Sequence, residues 1–353
     1  PAAPMALNTH LSQEFLMRGF ILPLLVTLVC CASKATRVPP GAEKALARVT
    51  QNVQTFPEGA DKQPPQLKRL ASAGVTLNAW SRDFARGSAI LLEFESSDNL
   101  AQAELTVNDR PLALSRSESG IFALFANSPD SKLKQNRVVL KRSGAAQAEF
   151  VLPVVSKEYP VAVSKMTVNK FSNQSKPMSQ ETIDAIEAGR KKKLKALVSG
   201  SGNLLTGDFR YPRDEHKITS PFFIKRVYER FRLVKGKKKK LPGKTSYHGG
   251  TDLKGLKGAP IFAIADGVVN LAEHLFYEGN IVILDHGNGV ISGYMHQSEL
   301  VVKEGEKVKA GQLIGRSGDT GMVTGPHLHI FLLIHGVKVD PLSLLVLPVR
   351  PGR

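Results

Sequence analysis

Cysteine is nearly missing: the 353 residues hold two, Cys30 and Cys31, side by side near one end. Two adjacent thiols cannot staple a fold, so a disulfide-built scaffold is excluded. Acidic residues are short as well, 31 Asp and Glu against 48 Lys and Arg, for a net charge of +17. The shortage is local. Between Arg190 and Lys244 stand 18 Lys and Arg against Asp208, Asp214, Glu215 and Glu229, so this stretch alone carries +14. The apolar run Phe20–Ala32 is 13 residues long and contains Pro23, too short for the ~20 residues of a spanning helix. No His-Glu-x-x-His sequence occurs, which excludes the helical type of zinc protease site.

The apolar run has another reading. Met17-Arg18-Gly19 precedes it and the small-residue stretch Cys31-Ala32-Ser33 ends it. That is the layout of a signal peptide, over residues 1–33 with an upstream extension at 1–16, and it implies export. Leu28-Val29-Cys30-Cys31 is a poor lipidation signal. An exported chain seldom meets nucleic acid, and neither a recognition helix nor a stacking platform is evident. The positive field therefore suits an anionic polymer of the cell envelope, attracted through the basic segment 190–244.

With 42% hydrophobic and 22% charged residues the composition is globular, and the length allows two or three domains. Residues 34–70 read as a linker, with a short helix around Ala42–Val53 followed by a Pro-rich stretch. Residues 71–156 alternate with the period of strands. Candidates run over Ser88–Glu95, Ala103–Val107, Ile121–Phe125, Arg137–Lys141 and Ala146–Val154, with a turn at Asn108-Asp109. Short strands at this spacing predict an immunoglobulin-like β-sandwich module. Residues 157–208 form a connector with a basic helix. Ser179 is its N-cap, Ile183, Ile186, Leu194 and Leu197 its apolar face, and Gly200 its end. The basic insert Val234–Lys244 reads as a hairpin or loop bordering the site. Residues 209–348 are again nearly all strand, separated by turns such as Asp266-Gly267 and Asn288-Gly289. The fold class predicted is mainly β: an antiparallel β catalytic domain behind the sandwich module, with short helices.

The chemistry concentrates in that last segment. His248-Gly-Gly-Thr-Asp252 is answered by Tyr294-Met295-His296 and then by Gly325-Pro326-His327-Leu328-His329. Histidines and a carboxylate spread over about 80 residues suit zinc, which takes imidazole nitrogen and carboxylate oxygen and keeps one position open in catalytic sites. The two glycines after His248 argue against a helix, so a turn and strands must supply the ligands. In a strand, i and i+2 share a face about 6.5–7 Å apart, so His327 and His329 point the same way.

At these residues the chain resembles the LytM/lysostaphin-type zinc metallopeptidases, which cut peptide bonds in peptidoglycan. The resemblance covers roughly residues 215–345. It includes Gly279-Asn280, Asp285-His286-Gly287, Gly305–Gly315 and Arg316-Ser-Gly-Asp-Thr-Gly321. Phe223 departs from it, because the family usually has Gly there. The resemblance implies His248, Asp252 and His329 as ligands of one zinc ion and His296 and His327 as catalytic histidines, in an open groove across one sheet. Tyr294, two residues before His296, is expected on the same face as groove floor, with Asn280 and Thr324 as further groove residues. His216, His274, His286 and His335 read as structural. The function this implies is an exported zinc endopeptidase acting on stem peptides or cross-bridges, in the periplasm or cell envelope. Crosslinks between D-alanine and diaminopimelate are favoured over glycine bridges. The rival is a non-catalytic relative that binds wall and activates cell-wall amidases. Such relatives typically lose ligands.

Overall fold

Two-residue alternation becomes structure over most of the chain. The computed structural model describes residues 64–117, 120–167, 178–205, 209–213, 217–234 and 237–348. The expected signal peptide, the helix at 42–53, most of the Pro-rich stretch and His216 lie outside these residues. No helix among the described residues is long and apolar enough to cross a membrane.

Nine strands come first: β1 (Gln66–Ser72), β2 (Val75–Ser81), β3 (Ala89–Ser96), β4 (Glu104–Val107), β5 (Arg110–Leu112), β6 (Ser115–Ser117), β7 (Gly120–Ala126), β8 (Gln135–Lys141) and β9 (Ala148–Pro153). They form two antiparallel sheets in the orders β1-β2-β3-β7-β6 and β5-β4-β8-β9. In β9 Ala148, Phe150 and Leu152 are buried while Glu149, Val151 and Pro153 are exposed, the period a half-buried strand requires. Leu77, Leu92, Phe94 and Phe125 of the first sheet share a core with Leu105, Leu140, Phe150 and Leu152 of the second. Asn108 and Asp109 both take positive φ, 51° and 62°, as a two-residue type I′ hairpin turn demands. β1 begins inside the stretch read as linker and pairs along β2.

β3 and β7 are apolar on both faces. Their outer residues Ala89, Leu91, Phe122 and Leu124 belong to the same core as Leu253, Ile330 and Leu332 of the C-terminal domain. Ala89 N–H donates to Ser343 Oγ at 2.9 Å, and Arg82 pairs with Asp340 at 2.8 Å. The module is therefore fused to the second domain rather than strung ahead of it. The run Ala89-Ile-Leu-Leu92 carries the signal, since a strand buried on both sides loses its polar alternation.

The remaining elements are β10 (Val161–Thr167), α1 (Gln180–Ala196), β11 (Ile218–Ser220), β12 (Lys225–Val234), β13 (Lys237–Tyr247), β14 (Thr251–Lys254), β15 (Pro260–Phe262), β16 (Gly267–Leu275), β17 (Gly279–Asp285), β18 (Val290–Leu300), β19 (Lys307–Val308), β20 (Leu313–Ser317), β21 (His327–Ile334), β22 (Val337–Val339) and α2 (Pro341–Leu344). The main sheet runs β11-β14-β21-β18-β17-β16-β19, with β20 against β15 and β18 and with β22 against β21. A separate sheet, β10-β12-β13, contains the basic insert as part of a hairpin, and the connector contributes β10 in parallel with β12.

The two faces of the main sheet differ. Leu328, Ile330 and Leu332 point into the shared core. On the other face α1 covers part of the sheet, where Ala196 packs in a cluster with Ile281, Ile283 and Phe331. Ser179 caps α1 by accepting from Thr182 N–H. Its packed side is only part of the expected one: Leu197 packs on this cluster, whereas Ile183 and Leu194 are 44% and 49% exposed. Contact runs instead through Gly189, where a Cβ would sit 3.1 Å from Leu275 Cδ2, and through ion pairs of Lys192 with Glu273 and Lys193 with Glu278. A helix held by a small residue and flanking charges has no need to bury its longer apolar side chains.

Tyr294 belongs to the core. Its side chain is fully buried, among Leu284, Leu328 and Ile330. Its hydroxyl accepts from Ile264 N–H at 3.0 Å and meets Ser292 Oγ at 3.0 Å, and Ser292 Oγ meets His286 Nε2 at 2.7 Å. His286 Nδ1–H then donates to Asp266 O at 2.7 Å. Each member of this buried chain is satisfied only by its neighbours. Tyr294→Phe leaves the Ile264 amide unpaired and is expected to destabilise by about 1–3 kcal/mol, read from urea unfolding midpoints. A midpoint equal to wild type would show that the chain contributes nothing to stability.

Candidate metal centre and its histidine pair

Three elements bring in the ligating side chains. His248 follows β13, and its backbone is pinned to the loop after β11: Phe223 N–H donates to His248 O at 2.9 Å and His248 N–H to Ile224 O at 3.1 Å. Phe223 holds φ +58°, the left-handed region where the resembled family places Gly. That conformation costs a bulky residue about 1–2 kcal/mol. Its ring stacks on Tyr247 at 4.7 Å and meets Tyr159 at 5.0 Å, contacts worth about 0.5–1.5 kcal/mol each. Aromatic packing thus offsets the strain, and the turn persists with Phe in it.

Asp252 lies on β14 directly opposite His329 of β21, and Lys254 lies opposite His327. Direct cross-strand partners share a face. Gly250 explains the glycines after His248, because a Cβ there would fall 2.2 Å from Ile330 O and 2.8 Å from His329 Nε2.

The ligand atoms converge. His248 Nε2 lies 3.0 Å from Asp252 Oδ1 and 3.0 Å from His329 Nδ1, while His329 Nδ1 lies 2.8 Å from Asp252 Oδ1. A tetrahedral zinc with bonds of about 2.0–2.1 Å sets its ligand atoms roughly 3.3 Å apart, so this triangle fits the ion closely. His248 Nδ1–H donates to Pro221 O at 3.0 Å, which turns a bare Nε2 inward, the backbone bond typical of a metal-ligating imidazole. Two nitrogens and an oxygen all aimed at one another have too few protons to satisfy every contact, whereas a divalent cation satisfies all three. Burial alone would raise the Asp252 carboxyl, but hydrogen bonds and charge from His248 and His329 hold it far below the usual carboxylate range. Burial pushes the His329 imidazole down, against the pull of Asp252.

His296 and His327 stand beside this triangle. Their ring centroids are 4.9 Å apart, and His296 is 6.1 Å from His329. His296 Nδ1–H donates to Thr320 O at 3.0 Å and His327 Nδ1–H to Gly325 O at 2.9 Å. Each ring is left with a free Nε2, and that of His327 is 3.7 Å from Asp252 Oδ1. Burial pushes His296 down to about 4, although its bond to Thr320 opposes the shift, so it is neutral at pH 7.

Of the other expected groove residues, Tyr294 is the one the structure buries. His296 takes φ +63°, and its N–H turns to Glu278 O at 2.9 Å. This kink ends the alternation of β18, so Tyr294 points to the core while His296 points to the groove. Asn280 is engaged in structure: its N–H donates to Thr320 Oγ1 at 2.9 Å and its Nδ2 to Gln297 O at 3.0 Å, and its Oδ1 meets His274 Nδ1 at 3.0 Å. It supports the segment whose carbonyl orients His296. Thr324 is exposed on the loop before β21. Sequence reasoning missed Arg226, whose Nη2 lies 2.8 Å from Ser220 Oγ and 3.4 Å from Asp252 Oδ2. It also missed the carbonyls of Pro221, Thr320 and Gly325. A backbone acceptor leaves no mark on residue type. Arg226 was hidden among many cations.

Two imidazoles and a carboxylate that could hold a metal ion, with two more imidazoles beside them, are the arrangement a metallohydrolase site requires. Residues 246–341 match the profile described as Peptidase family M23. Over 135 residues it is 40% identical to peptidoglycan DD-endopeptidase ShyA of Vibrio cholerae, covering 38% of this chain and 29% of that protein. Over 97 residues it is 41% identical to DD-carboxypeptidase/endopeptidase Mpg of Neisseria meningitidis, covering 28% of this chain and 22% of that protein. The chain thus spans less than a third of the length of these curated relatives. A crystal structure of a putative peptidase M23 from Pseudomonas aeruginosa superposes with a TM-score of 0.51 at 22% identity, covering 74% of this chain and 95% of that one. That likeness is one of fold, and it reaches well beyond the matched domain.

Proposed function

We propose that the protein is an exported zinc endopeptidase that hydrolyses peptide bonds in the stem peptides or cross-bridges of peptidoglycan. The observation that carries this reading is the complete ligand triangle of His248, Asp252 and His329 with the free Nε2 atoms of His296 and His327 on the same face. His248, Asp252 and His329 would hold zinc, which when bound would supply a Lewis acid and a water acidic enough to ionise near neutral pH. Histidine handles the protons, since the sequence has no His-Glu-x-x-His glutamate to act as base. One of the pair accepts a proton from the attacking water at Nε2. That proton then passes, through the Nε2 lone pair of the other, to the leaving amine as the C–N bond breaks and the new C–O bond forms, so both rings end neutral as they began. The relatives named as peptidoglycan endopeptidases support the substrate class, and the leader-like residues 1–33 support export to the periplasm or cell envelope. Strands β2-β3-β7-β6 against β5-β4-β8-β9 follow the A-B-E-D and C′-C-F-G order of immunoglobulin domains, which supports that reading of the module.

Digestion of purified sacculi tests the proposal, with released muropeptides identified by mass. Hydrolysis of crosslinks by the zinc-loaded chain, its loss on chelation and its return with about one equivalent of zinc are expected. If zinc-loaded protein binds sacculi and releases nothing, the role of amidase activator replaces that of peptidase.

A further inference from the structure

The sheet β10-β12-β13 is the most one-sided charged surface beside the metal centre. From Lys225 to Tyr247 the sequence has ten Lys and Arg and a single acid, Glu229. Arg226 meets Asp252; among the described residues Lys225, Arg230, Lys237, Lys238, Lys239, Lys240 and Lys244 form no ion pair. Lysine on an edge strand often serves only to prevent another chain from pairing there. That accounts for the lysines of the edge strand β13. It does not account for β12, which has a partner on each side.

Register decides which cations face together. Arg226 is paired with Ser246, Tyr228 with Lys244 and Arg230 with Leu241. Direct partners share a face and alternate residues along a strand return to it. Arg226, Tyr228, Lys244 and Arg230 therefore line one face. Its foot is fixed at the metal centre by Arg226, 3.4 Å from Asp252 Oδ2. Four residues of strand carry the face outward by about 13 Å to Arg230. The hairpin thus leads from Arg226, paired with Asp252, to the unpaired cations Lys244 and Arg230.

We propose that this face is a carboxylate-binding wall, and that the peptide taken by the groove is acidic, with free carboxylates lying along β12 within about 13 Å of the metal centre. The inference rests on the peptidase reading and adds the charge class of its substrate. Exposed cations of this kind act through a field that salt screens over about 8–10 Å.

The test measures binding separately from cleavage. Fluorescence anisotropy of the full chain is recorded with a tagged alanyl-γ-glutamyl-diaminopimelate tripeptide and with the same peptide after amidation of its carboxylates. The acidic form is expected to bind at least ~10-fold more tightly at low salt, with the preference shrinking as salt rises from about 50 to about 300 mM. In a chain carrying Arg230→Glu and Lys244→Glu the preference should vanish, while zinc content and unfolding midpoint stay at wild-type values. Equal affinity of wild type for the two peptides, or an undiminished preference in the variant, overturns the wall. Sacculus digestion separates the two readings: cleavage without a carboxylate preference leaves the peptidase and removes the wall, and a preference without cleavage does the reverse.

Discussion

His296→Ala is expected to abolish crosslink hydrolysis while leaving the zinc in place. A positioned proton-transfer group contributes about 10²–10⁴-fold, so kcat on sacculi or soluble crosslinked muropeptides should fall by that factor. The metal should remain, because His296 is not one of the three converging ligands and its ring is held by Thr320 O rather than by the triangle. His327→Ala should cost a similar factor. The double variant should fall well short of the product of the two losses, since groups serving one proton transfer act as a unit. Zinc by elemental analysis and rate by muropeptide release read the two halves of the prediction. A His296→Ala chain that cuts at near wild-type rate would remove His296 from the chemistry and leave proton transfer to His327 alone.

Asp252→Ala attacks the other half of the site. Asp252 Oδ1 is the atom on which His248 and His329 both converge, at 3.0 and 2.8 Å, and it is the anion of the triangle. Without it two imidazoles and the Arg226 guanidinium face one another with no counter-charge. Zinc content is expected to fall from about one per chain to below ~0.1 after dialysis, with loss of all hydrolysis. Stability provides an independent reading. Zinc at about 100 times its dissociation constant stabilises the folded wild type by about 2.7 kcal/mol, so chelation should lower its Tm and leave that of the variant unmoved. A variant that keeps stoichiometric zinc would mean that Asp252 is not a ligand.

Much of this molecule was legible because the relevant physics is local. Alternating apolar residues specify a half-buried strand wherever they stand, as in Ala148–Pro153, and Asn108-Asp109 specifies a turn because few other residues accept two positive φ values. Ser179 specifies a helix start because its hydroxyl reaches an amide three residues on. The spacing His327-Leu-His329 places two imidazoles on one face of a strand for the same reason. The glycines after His248 ruled out a helix, and the structure adds that Gly250 is required by the ring of His329.

What the sequence by itself determined, then, is which side chains gather at the candidate site and which elements carry them: His248 and Asp252 on a turn and strand, and His327 and His329 on a single strand. Tertiary structure decided the rest, because it depends on residues far apart in the chain. The positive φ of His296, held by Glu278 O and Thr320 O, sends Tyr294 to the core against the simple two-residue rule. Contacts across more than 200 residues bury the outer faces of β3 and β7 against the second domain. Arg226 becomes a neighbour of Asp252 only when the hairpin folds back on the sheet. Such choices are set by which surfaces can be buried together and which polar groups can be satisfied there, and no short window of sequence contains both partners.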